Sequence, residues 1–145
     1  MNVKTILAVK KLGGDIVGIE PTATLAAAAQ LLAKHRIGAL VIRGAGGRLA
    51  GILSERDIVS ALAAHGAAGL DLPVGQTMTR EVETCGEDDL VASIMERMTA
   101  GKFRHVPVVR DGKLVGLISI GDVVKHRVDE VEQESEAMRD YIQTA

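Results

Sequence analysis

The chain contains almost no aromatic residues, although 47% of its 145 residues are apolar. Phe103 and Tyr141 are the only aromatic side chains, and tryptophan is absent. The core must therefore be built from aliphatic side chains and methionine. Because proteins bind single-stranded nucleic acid by stacking its bases on aromatic rings, the composition excludes that kind of site.

An excess of charge of one sign is also lacking, since 17 basic residues balance 19 acidic ones and the net charge is −2. This balance gives no overall attraction to a polyanion, so we expect no nucleic-acid partner. No stretch approaches the roughly 18 apolar residues of a membrane span. The first ten residues lack the long apolar core of a signal peptide. We therefore expect a cytoplasmic protein with no membrane partner.

Cysteine is nearly absent as well. The single Cys85 excludes an intrachain disulfide and cannot build a cysteine-based metal site. The four histidines show no tight ligand spacing, so we expect no metal. They are His35, His65, His105 and His126. The glycine-rich run 44–47 lacks the Lys-Ser/Thr that follows a phosphate loop, and it predicts a hairpin turn.

What the chain does contain is a repeat. Residues 49–59, Leu-Ala-Gly-Ile-Leu-Ser-Glu-Arg-Asp-Ile-Val, return 65 positions later as residues 114–124, Leu-Val-Gly-Leu-Ile-Ser-Ile-Gly-Asp-Val-Val. In each copy, an apolar strand ends in Ser-x-x-Asp and leads into a helix. Halves of about 60 residues would be marginal alone, so we expect them to share a core.

The residue pattern predicts β-α-β-β-α in each half. In the first half we expect a helix over 3–11 ended by Gly13-Gly14, a strand over 16–19, a helix over 24–35 stopped by Gly38, strands over 39–42 and 49–53, and a helix over 54–64. After a link over 65–76, we expect a strand over 82–84, a helix capped by Asp88 or Asp89, strands over 106–109 and 114–119 joined by an Asp111-Gly112 turn, and a helix from Ile120. An acidic tail extends this last helix. The predicted divisions are residues 1–70, 71–127 and 128–145.

Two such repeats, each closing with Gly-x-x-Ser-x-x-Asp, resemble a pair of CBS domains, the arrangement called a Bateman module. The run 103–109, Phe-Arg-His-Val-Pro-Val-Val, is similar to that of stand-alone bacterial CBS-pair proteins. The resemblance covers nearly the whole chain. It implies an α+β fold with two tandem repeats packed about a pseudo-two-fold axis. It also implies two clefts for adenosine-containing ligands, such as AMP, ADP, ATP, NAD(H) or S-adenosylmethionine, and a homodimer.

The repeated motif suits a nucleotide. Asp57 and Asp122 each offer two acceptor oxygens to the adjacent hydroxyls of a ribose. Ser54 and Ser119 stand at helix starts, where backbone amides favour phosphate. The alternative is a capping box, in which serine and aspartate stabilise the helix without any ligand. Both roles are compatible in one residue.

Further candidate residues come from the family resemblance. Residues Ile37, Gly38, Ala39 and Leu40 in the first half, and Arg104, His105, Val106 and Pro107 in the second, occupy positions matching those that contact adenine, and Thr84 completes the predicted set. The alternative for Leu40 and Val106 is an ordinary core strand. Pro107 lacks a backbone N–H, which favours an edge or irregular position.

Arginine suits phosphate through its planar guanidinium, so Arg56 and Arg104 are the predicted phosphate ligands, with Lys102 either a third or a solvated surface charge. The two copies differ in their middle residues, Glu55-Arg56 against Ile120-Gly121. We therefore expect two unequal clefts.

Three functions remain open from the sequence. The first is a regulatory module that senses an adenine nucleotide, with AMP preferred and NAD(H) or ATP as alternatives, and signals to an unidentified regulated protein. The second is a dimerisation or interaction module without a ligand. The acidic tail is either an output surface of the sensor or a solvated, dimer-packing extension. The third is a nucleotide-processing enzyme. No nucleophile paired with a base is recognisable, so we expect neither catalysis nor a catalytic cofactor.

Overall fold

Helices and strands alternate through both halves of the chain, as expected of an α+β fold. The computed structural model describes residues 1–11 and 16–144. The elements are α1 (Val3–Lys11), β1 (Gly18–Ile19), α2 (Leu25–His35), β2 (Ala39–Arg43), β3 (Leu49–Ser54), α3 (Glu55–His65), α4 (Val74–Thr77), α5 (Val91–Gly101), β4 (His105–Arg110), β5 (Lys113–Ser119) and α6 (Ile120–Thr144).

The first half forms a three-stranded sheet in the order β1-β2-β3. β2 runs antiparallel to β3 with Ala39 opposite Ser54, and β1 lies parallel to β2. The helix α2 begins where the Thr24 hydroxyl accepts a hydrogen bond from the Ala27 N–H at 3.2 Å. Its aliphatic face packs on the sheet, together with α3, in a core that contains Leu40. The predicted elements of this half are confirmed, although β1 contains only two residues.

The second half has a two-stranded antiparallel sheet, β4-β5, with His105 opposite Ser119. Its hairpin turns at Asp111 and Gly112, whose φ angles of 53° and 77° are the two positive values of a tight primed turn. This confirms the predicted Asp-Gly turn. In both halves, the first residue of the strand that follows the long helix lies opposite the serine of the Ser-x-x-Asp motif.

Packing between the halves does not follow chain order. Val3, Ile6 and Leu7 of α1 are buried in the core of the second half, beside Ile118. In the other direction, the linking segment around Val74 contributes to the core of the first half. The predicted divisions after residues 70 and 127 stay predictions, and side-chain packing crosses the first of them in both directions.

The motif glycines explain how these crossing segments fit. A Cβ on Gly51 would lie 2.6 Å from the Thr79 carbonyl oxygen and 2.8 Å from the Met78 sulfur. A Cβ on Gly116 would collide with the Leu7 side chain of α1. The segment around Thr79 and helix α1 therefore cover corresponding places on the two sheets. Glycine is needed at Gly51, where the neighbour is a backbone carbonyl, whereas at Gly116 the neighbour is the end of the flexible Leu7 side chain.

The strand predicted over Val82–Thr84 is wrong. In this region Cys85 makes a single parallel bridge to Val108. The Cys85 N–H donates to the Pro107 carbonyl, and the Cys85 carbonyl accepts from the Val109 N–H. In the first half, Val41 donates from the position that matches Pro107, to the Val17 carbonyl at 3.4 Å. Proline has no N–H, so the second half cannot form this bond. The predicted edge position of Pro107 accounts for the missing strand.

The structure corrects the residues predicted at two helix ends. α2 ends at His35 as predicted, but Arg36 rather than Gly38 stops it, because Arg36 adopts a left-handed conformation with φ of 53° and Ile37 donates back to the Leu32 carbonyl. α5 is capped by neither Asp88 nor Asp89. Its N-cap residue is Leu90, and the Asp89 carboxylate instead accepts from the Gly86 N–H at 2.9 Å.

The last helix is the longest, and it confirms the predicted helical extension. α6 continues from the second motif to Thr144, and every residue over 131–143 is exposed. The predicted stop of α1 at Gly13-Gly14 lies outside the described residues. Within the described ranges, no helix has both the length and the apolar character needed to span a membrane.

Candidate functional site

A cleft of about 690 Å³ lies between the two halves and is lined by residues of both. It lies along the start of β2, the first Ser-x-x-Asp motif and the segment that leads into β4. Seven of the predicted ligand-binding residues line it: Gly38, Ala39, Ser54, Arg56, Asp57, Arg104 and His105. The structure therefore brings residues far apart in sequence to one site, on opposite sides of an inter-repeat boundary.

The first motif begins α3 with a complete capping box. The Ser54 hydroxyl accepts from the Asp57 N–H at 3.3 Å, and Asp57 Oδ2 accepts from the Ser54 N–H at 2.8 Å. The Ser54 hydroxyl also lies 3.2 Å from Oδ2. Among the described residues, every hydrogen bond to this carboxylate falls on Oδ2, which leaves Oδ1 for a ligand in the cleft. The capping role is thus present, and it does not use both oxygens.

The second motif has the same cap but a different neighbour. Asp122 donates its N–H to the Ser119 hydroxyl at 3.2 Å, and its Oδ2 accepts from the Ser119 N–H at 2.8 Å. Lys10, from α1, donates to the same Oδ2 at 2.8 Å and to the Leu117 carbonyl at 2.7 Å. A cation of the chain itself therefore neutralises the second carboxylate, whereas the described residues place no such ion pair on the first.

The pKa of Asp122 reflects this contact. Partial burial alone raises the pKa of the carboxyl group, but hydrogen bonds from Lys10 and Ser119 and the positive charge of Lys10 outweigh it. The net result is a pKa below the ordinary value for aspartate. The charged form of Asp122 is stabilised from within the protein.

A backbone hydrogen bond ties each motif to the strand beside it. The Glu55 N–H donates to the Gly38 carbonyl at 3.0 Å, and the Ile120 N–H donates to the Arg104 carbonyl at 2.8 Å. These are corresponding positions in the two halves. The two halves therefore share even the backbone hydrogen bond that holds the start of the helix beside the start of the strand.

Gly38 lines the cleft and also packs against the second half. A Cβ at this position would lie 3.2 Å from Cε1 and 3.4 Å from Nε2 of His105. The imidazole of the second half thus packs closely on the glycine of the first. Burial lowers the pKa of His105, and the nearby positive charge of Lys10 lowers it further, while Asp122 and Glu55 act in the opposite direction. A neutral imidazole is favoured at the boundary between the halves.

Charged side chains of both signs line the cleft. Arg56, Lys102 and Arg104 are exposed cations, and Lys102 ends α5 in a left-handed conformation with φ of 57°. Glu55 and Glu81 contribute carboxylates to the same wall. A ligand in the cleft would therefore find exposed cations, which suit a phosphate, beside carboxylate acceptors, which suit hydroxyl groups.

The other predicted residues lie elsewhere. Leu40, Val106 and Pro107 are buried in the strands, so the core alternative holds for the first two. Ile37 is half-buried against the core of the first half. The carbonyl of Thr84 accepts from Arg97 at 2.7 Å, outside the cleft lining. Ser119 and Asp122 belong to the second motif and do not line this cleft.

Sequence reasoning missed Lys10 entirely and did not place Thr79, Phe103 and Ile120 in the cleft lining. A signal for Lys10 was present, because it continues the buried stripe of α1 at the spacing of 3, 6, 7 and 10. A lysine on the buried face of an amphipathic helix points to a buried acceptor. Thr79 reaches the cleft because two backbone hydrogen bonds link it to Ile52, and no local sequence pattern predicts this link.

The remaining reactive groups do not form a centre. Cys85 is buried, and burial together with the charge of Asp89 raises the pKa of its thiol to about 11 despite the opposing charge of Arg97. Such a thiol is a poor nucleophile. Across the described ranges, no group of three or more His, Cys, Asp or Glu side chains is placed to hold a metal ion.

Comparison with known proteins identifies the architecture. The CBS domain family matches residues 9–64 and 74–129. A CBS-domain containing protein from Agrobacterium tumefaciens has a crystal structure with a TM-score of 0.82 and 45% identity, covering 88% of this chain and 99% of that one. The CBS domain pair of protein MJ0100, solved in complex with methylthioadenosine and S-adenosyl-L-methionine, is 29% identical with a TM-score of 0.77, covering 90% of this chain and 98% of that one.

A curated relative is longer. The mitochondrial CBS domain-containing protein of Arabidopsis thaliana is 36% identical over 120 residues, which cover 80% of this chain and 58% of that protein. The chain thus spans just over half of that relative's length. The predicted α+β fold of two tandem repeats is confirmed by the family match and by the solved structures. The chain belongs to the family of CBS-domain proteins, as a pair of CBS domains in tandem.

Proposed function

We propose that the chain is a regulatory module that binds an adenine nucleotide in the cleft between its two repeats. The observation that carries the proposal is Asp57, a capping carboxylate that lines the cleft with Oδ1 unused among the described contacts. The complex of the MJ0100 domain pair with two adenosyl compounds supports the same ligand class. The adenosine-containing ligand is expected to be AMP, with NAD(H) or ATP as alternatives.

The ribose is proposed to bind at Asp57. An ionised carboxylate accepts from two adjacent hydroxyl groups, and such charge-assisted bonds are about twice as strong as neutral ones. Because the Ser54 N–H holds Oδ2 at 2.8 Å, the carboxylate is oriented before the ligand arrives. This preorganisation lowers the entropy that binding costs.

The phosphate and the base would occupy the two ends of the cleft. Arg56 and Arg104 offer exposed guanidinium groups from opposite repeats, so a phosphate between them would link the two halves. The backbone around Gly38 and Ala39 offers polar groups at the start of β2, where the flat edge of adenine can be read. Ile52 and Phe103 supply apolar lining.

Signalling follows from the position of the cleft. A ligand that contacts both repeats favours the relative arrangement in which both sets of contacts form, so it shifts the population of arrangements. Lys10 already neutralises Asp122, so the second motif is proposed to bind a nucleotide more weakly than the first. Two unequal clefts thus remain part of the proposal, with Lys10 as a cause in addition to the differing motif residues.

The proposal also includes a homodimer, an unidentified regulated protein, no catalysis and a cytoplasmic location. The family supports a regulatory rather than an enzymatic role. The buried, protonated Cys85 is consistent with a chain that uses no thiol chemistry. A ligand-free dimerisation or interaction module is the competing function, and the complete Ser54–Asp57 capping box, which stabilises α3 without any ligand, favours it.

Calorimetric melting of the full chain separates these two functions. The chain is melted alone and with AMP, ATP, NADH or S-adenosylmethionine, each present in large excess. A ligand at 100 times its dissociation constant adds about 2.7 kcal/mol to the free energy of unfolding. We expect a clear rise in melting temperature with at least one of the four. No rise with any of them would reject nucleotide sensing and leave the structural module.

A further inference from the structure

The exposed part of α6 has a regular apolar stripe. Val124, Val128, Val131, Met138 and Ile142 are each between 40% and 69% exposed. Their spacings alternate between three and four residues once Ser135 is included. This is a heptad pattern, in which positions 128, 135 and 142 are a and positions 124, 131 and 138 are d.

A solvent-exposed helix with this composition gains little by standing alone. The residues over 131–143 are all exposed, and many are acidic. Isolated helices of about 12–15 residues are marginal in water, because most helix stability in proteins comes from packing an apolar face. The stripe provides such a face. Its heptad spacing indicates that the partner that buries it is another helix.

Charges beside the stripe match a second copy of the same helix. Positions e and g flank the seam: Arg127 and Glu134 are g residues, and Glu132 and Arg139 are e residues. In a parallel pair, each g residue meets the e residue five positions on in the partner. The resulting contacts are Glu134 with Arg139 and Arg127 with Glu132, the latter shared with the ion pair that Arg127 forms with Glu130 of its own helix at 2.8 Å. Both pairs carry opposite charges, and symmetry forms each of them twice.

We propose that α6 pairs with α6 of a second copy of this chain as a parallel two-stranded coiled coil. Val128 and Ile142 provide apolar residues at a, and the opposite charges at g and e fit two parallel strands. Parallel pairing also places Ser135 opposite Ser135 of the second copy, so the polar residue of the stripe faces another polar residue. An antiparallel pair would set Ser135 against Val131. The proposal rests on the proposed homodimer and assigns it a surface.

The direct test is the oligomeric state of the full chain by sedimentation at several concentrations. Met138→Glu places a charge in the seam, and we expect the dimer dissociation constant to rise at least about tenfold. Gln133→Glu adds the same charge at position f, outside the seam, and should leave the constant unchanged. Circular dichroism of both variants checks that the fold is kept.

A charge exchange tests the direction of the pair. Glu134→Arg sets arginine against Arg139 of the second copy and should weaken the dimer. Combining Glu134→Arg with Arg139→Glu restores opposite charges in a parallel pair, so association should recover. In an antiparallel pair, the double variant creates like-charge pairs with Arg127 and Glu132, and association would fall further, which would overturn the parallel arrangement.

Two results would overturn the coiled coil itself. One is a monomer at every concentration. The other is a dimer whose dissociation constant is the same in Met138→Glu as in the unaltered chain, which would place the dimer contact elsewhere. Nucleotide-induced stabilisation is measured separately by melting, so failure of the coiled coil and failure of ligand sensing give different results.

Discussion

The two Ser-x-x-Asp motifs share one cap geometry but differ in what reaches the carboxylate. In both, the serine N–H donates to aspartate Oδ2 at 2.8 Å. At Asp57 the cap is the only contact among the described residues, and the group faces a cleft. At Asp122 a lysine from outside the repeat is bound at 2.8 Å. Duplication thus conserves the helix start, while a segment that is not duplicated decides whether the acidic group is available.

The covering segments explain why this difference arises. The sheet of the first half is covered at Gly51 by the segment containing Thr79, and the sheet of the second half is covered at Gly116 by α1. Thr79 is neutral and lines the cleft, whereas α1 extends to Lys10. Two similar sheets therefore acquire different chemistry from the segments that cover them.

The largest expected effects concern two strand residues, Leu40 and Val106, that the family resemblance predicts as ligand contacts. Leu40→Ala should cost about 3 kcal/mol in unfolding free energy and Val106→Ala about 2, because each removes buried methyl groups from the core of its own half. Urea unfolding measures both. Val59→Ala, at an exposed position, should stay within about 0.5 kcal/mol. Loss of nucleotide affinity without loss of stability would restore the ligand role of these residues.

A smaller effect is expected where the halves meet. Gly38→Ala inserts a methyl group 3.2 Å from the His105 ring and should cost about 1–2 kcal/mol. Because the cost comes from that contact, adding His105→Ala should recover part of it, measured as a double-mutant coupling in urea unfolding. Arg104→Ala changes the corresponding position of the other repeat and is the control. Fully additive losses would show that the contact does not cause the strain.

Removing the lysine should make the second motif more like the first. Lys10→Met should cost about 0.5–1 kcal/mol, a modest value because the Lys10 side chain is 40% exposed and solvent screens the pair. The folded-state pKa of Asp122 is lowered, so the stabilisation is present above the ordinary aspartate pKa and is lost as pH falls through the lower value. The difference between Lys10→Met and the unaltered chain should be constant over about pH 5–8 and shrink below about pH 4.

Thermal melting across this pH range measures the difference between the two proteins. Asn2→Ala, near the other end of α1, tests whether any change at this helix has the same profile. If the difference in stability between Lys10→Met and the unaltered chain does not narrow at acid pH, Lys10 acts through its aliphatic chain rather than through its charge.

The smallest expected effect is the pH response of His105. Its pKa is lowered in the folded protein, so protonation favours the unfolded chain and stability falls as pH drops below about 6.5. His105→Asn should remove a few tenths of a kcal/mol of this loss between about pH 7.5 and 5.5. His35→Asn, at an exposed site, is the comparison. Equal pH slopes in all three proteins would contradict a buried neutral imidazole.

Much of the fold could be predicted because the informative patterns were local. Alternating apolar residues, the Asp111-Gly112 turn and the duplicated Ser-x-x-Asp each specify their own element, and the structure forms them where expected. The strand over Val82–Thr84 failed because its partner carries Pro107, which removes the donor for the second ladder bond. That dependence joins residues more than twenty positions apart, so a local pattern does not contain it.

The site could be predicted only as far as the repeat reaches. The cap residues and the residues just before the strands, Gly38 and Arg104, follow from duplication, and the structure places both Gly38 and Arg104 in the cleft. Lys10 lies outside either repeat, so comparing the two copies with each other could not detect it. Its availability to Asp122 depends on α1 crossing to the second sheet, which is a tertiary feature.

The central claim is that the first carboxylate is available to a nucleotide and the second is already neutralised. Titration calorimetry with AMP on the unaltered chain, Asp57→Asn and Asp122→Asn tests it most directly. Asparagine still caps a helix, so both variants should fold, while loss of charge-assisted bonds should weaken AMP binding by Asp57→Asn about 10- to 150-fold. Asp122→Asn should change it less than about threefold. Unchanged affinity in Asp57→Asn, or an equal loss in both variants, would contradict the account.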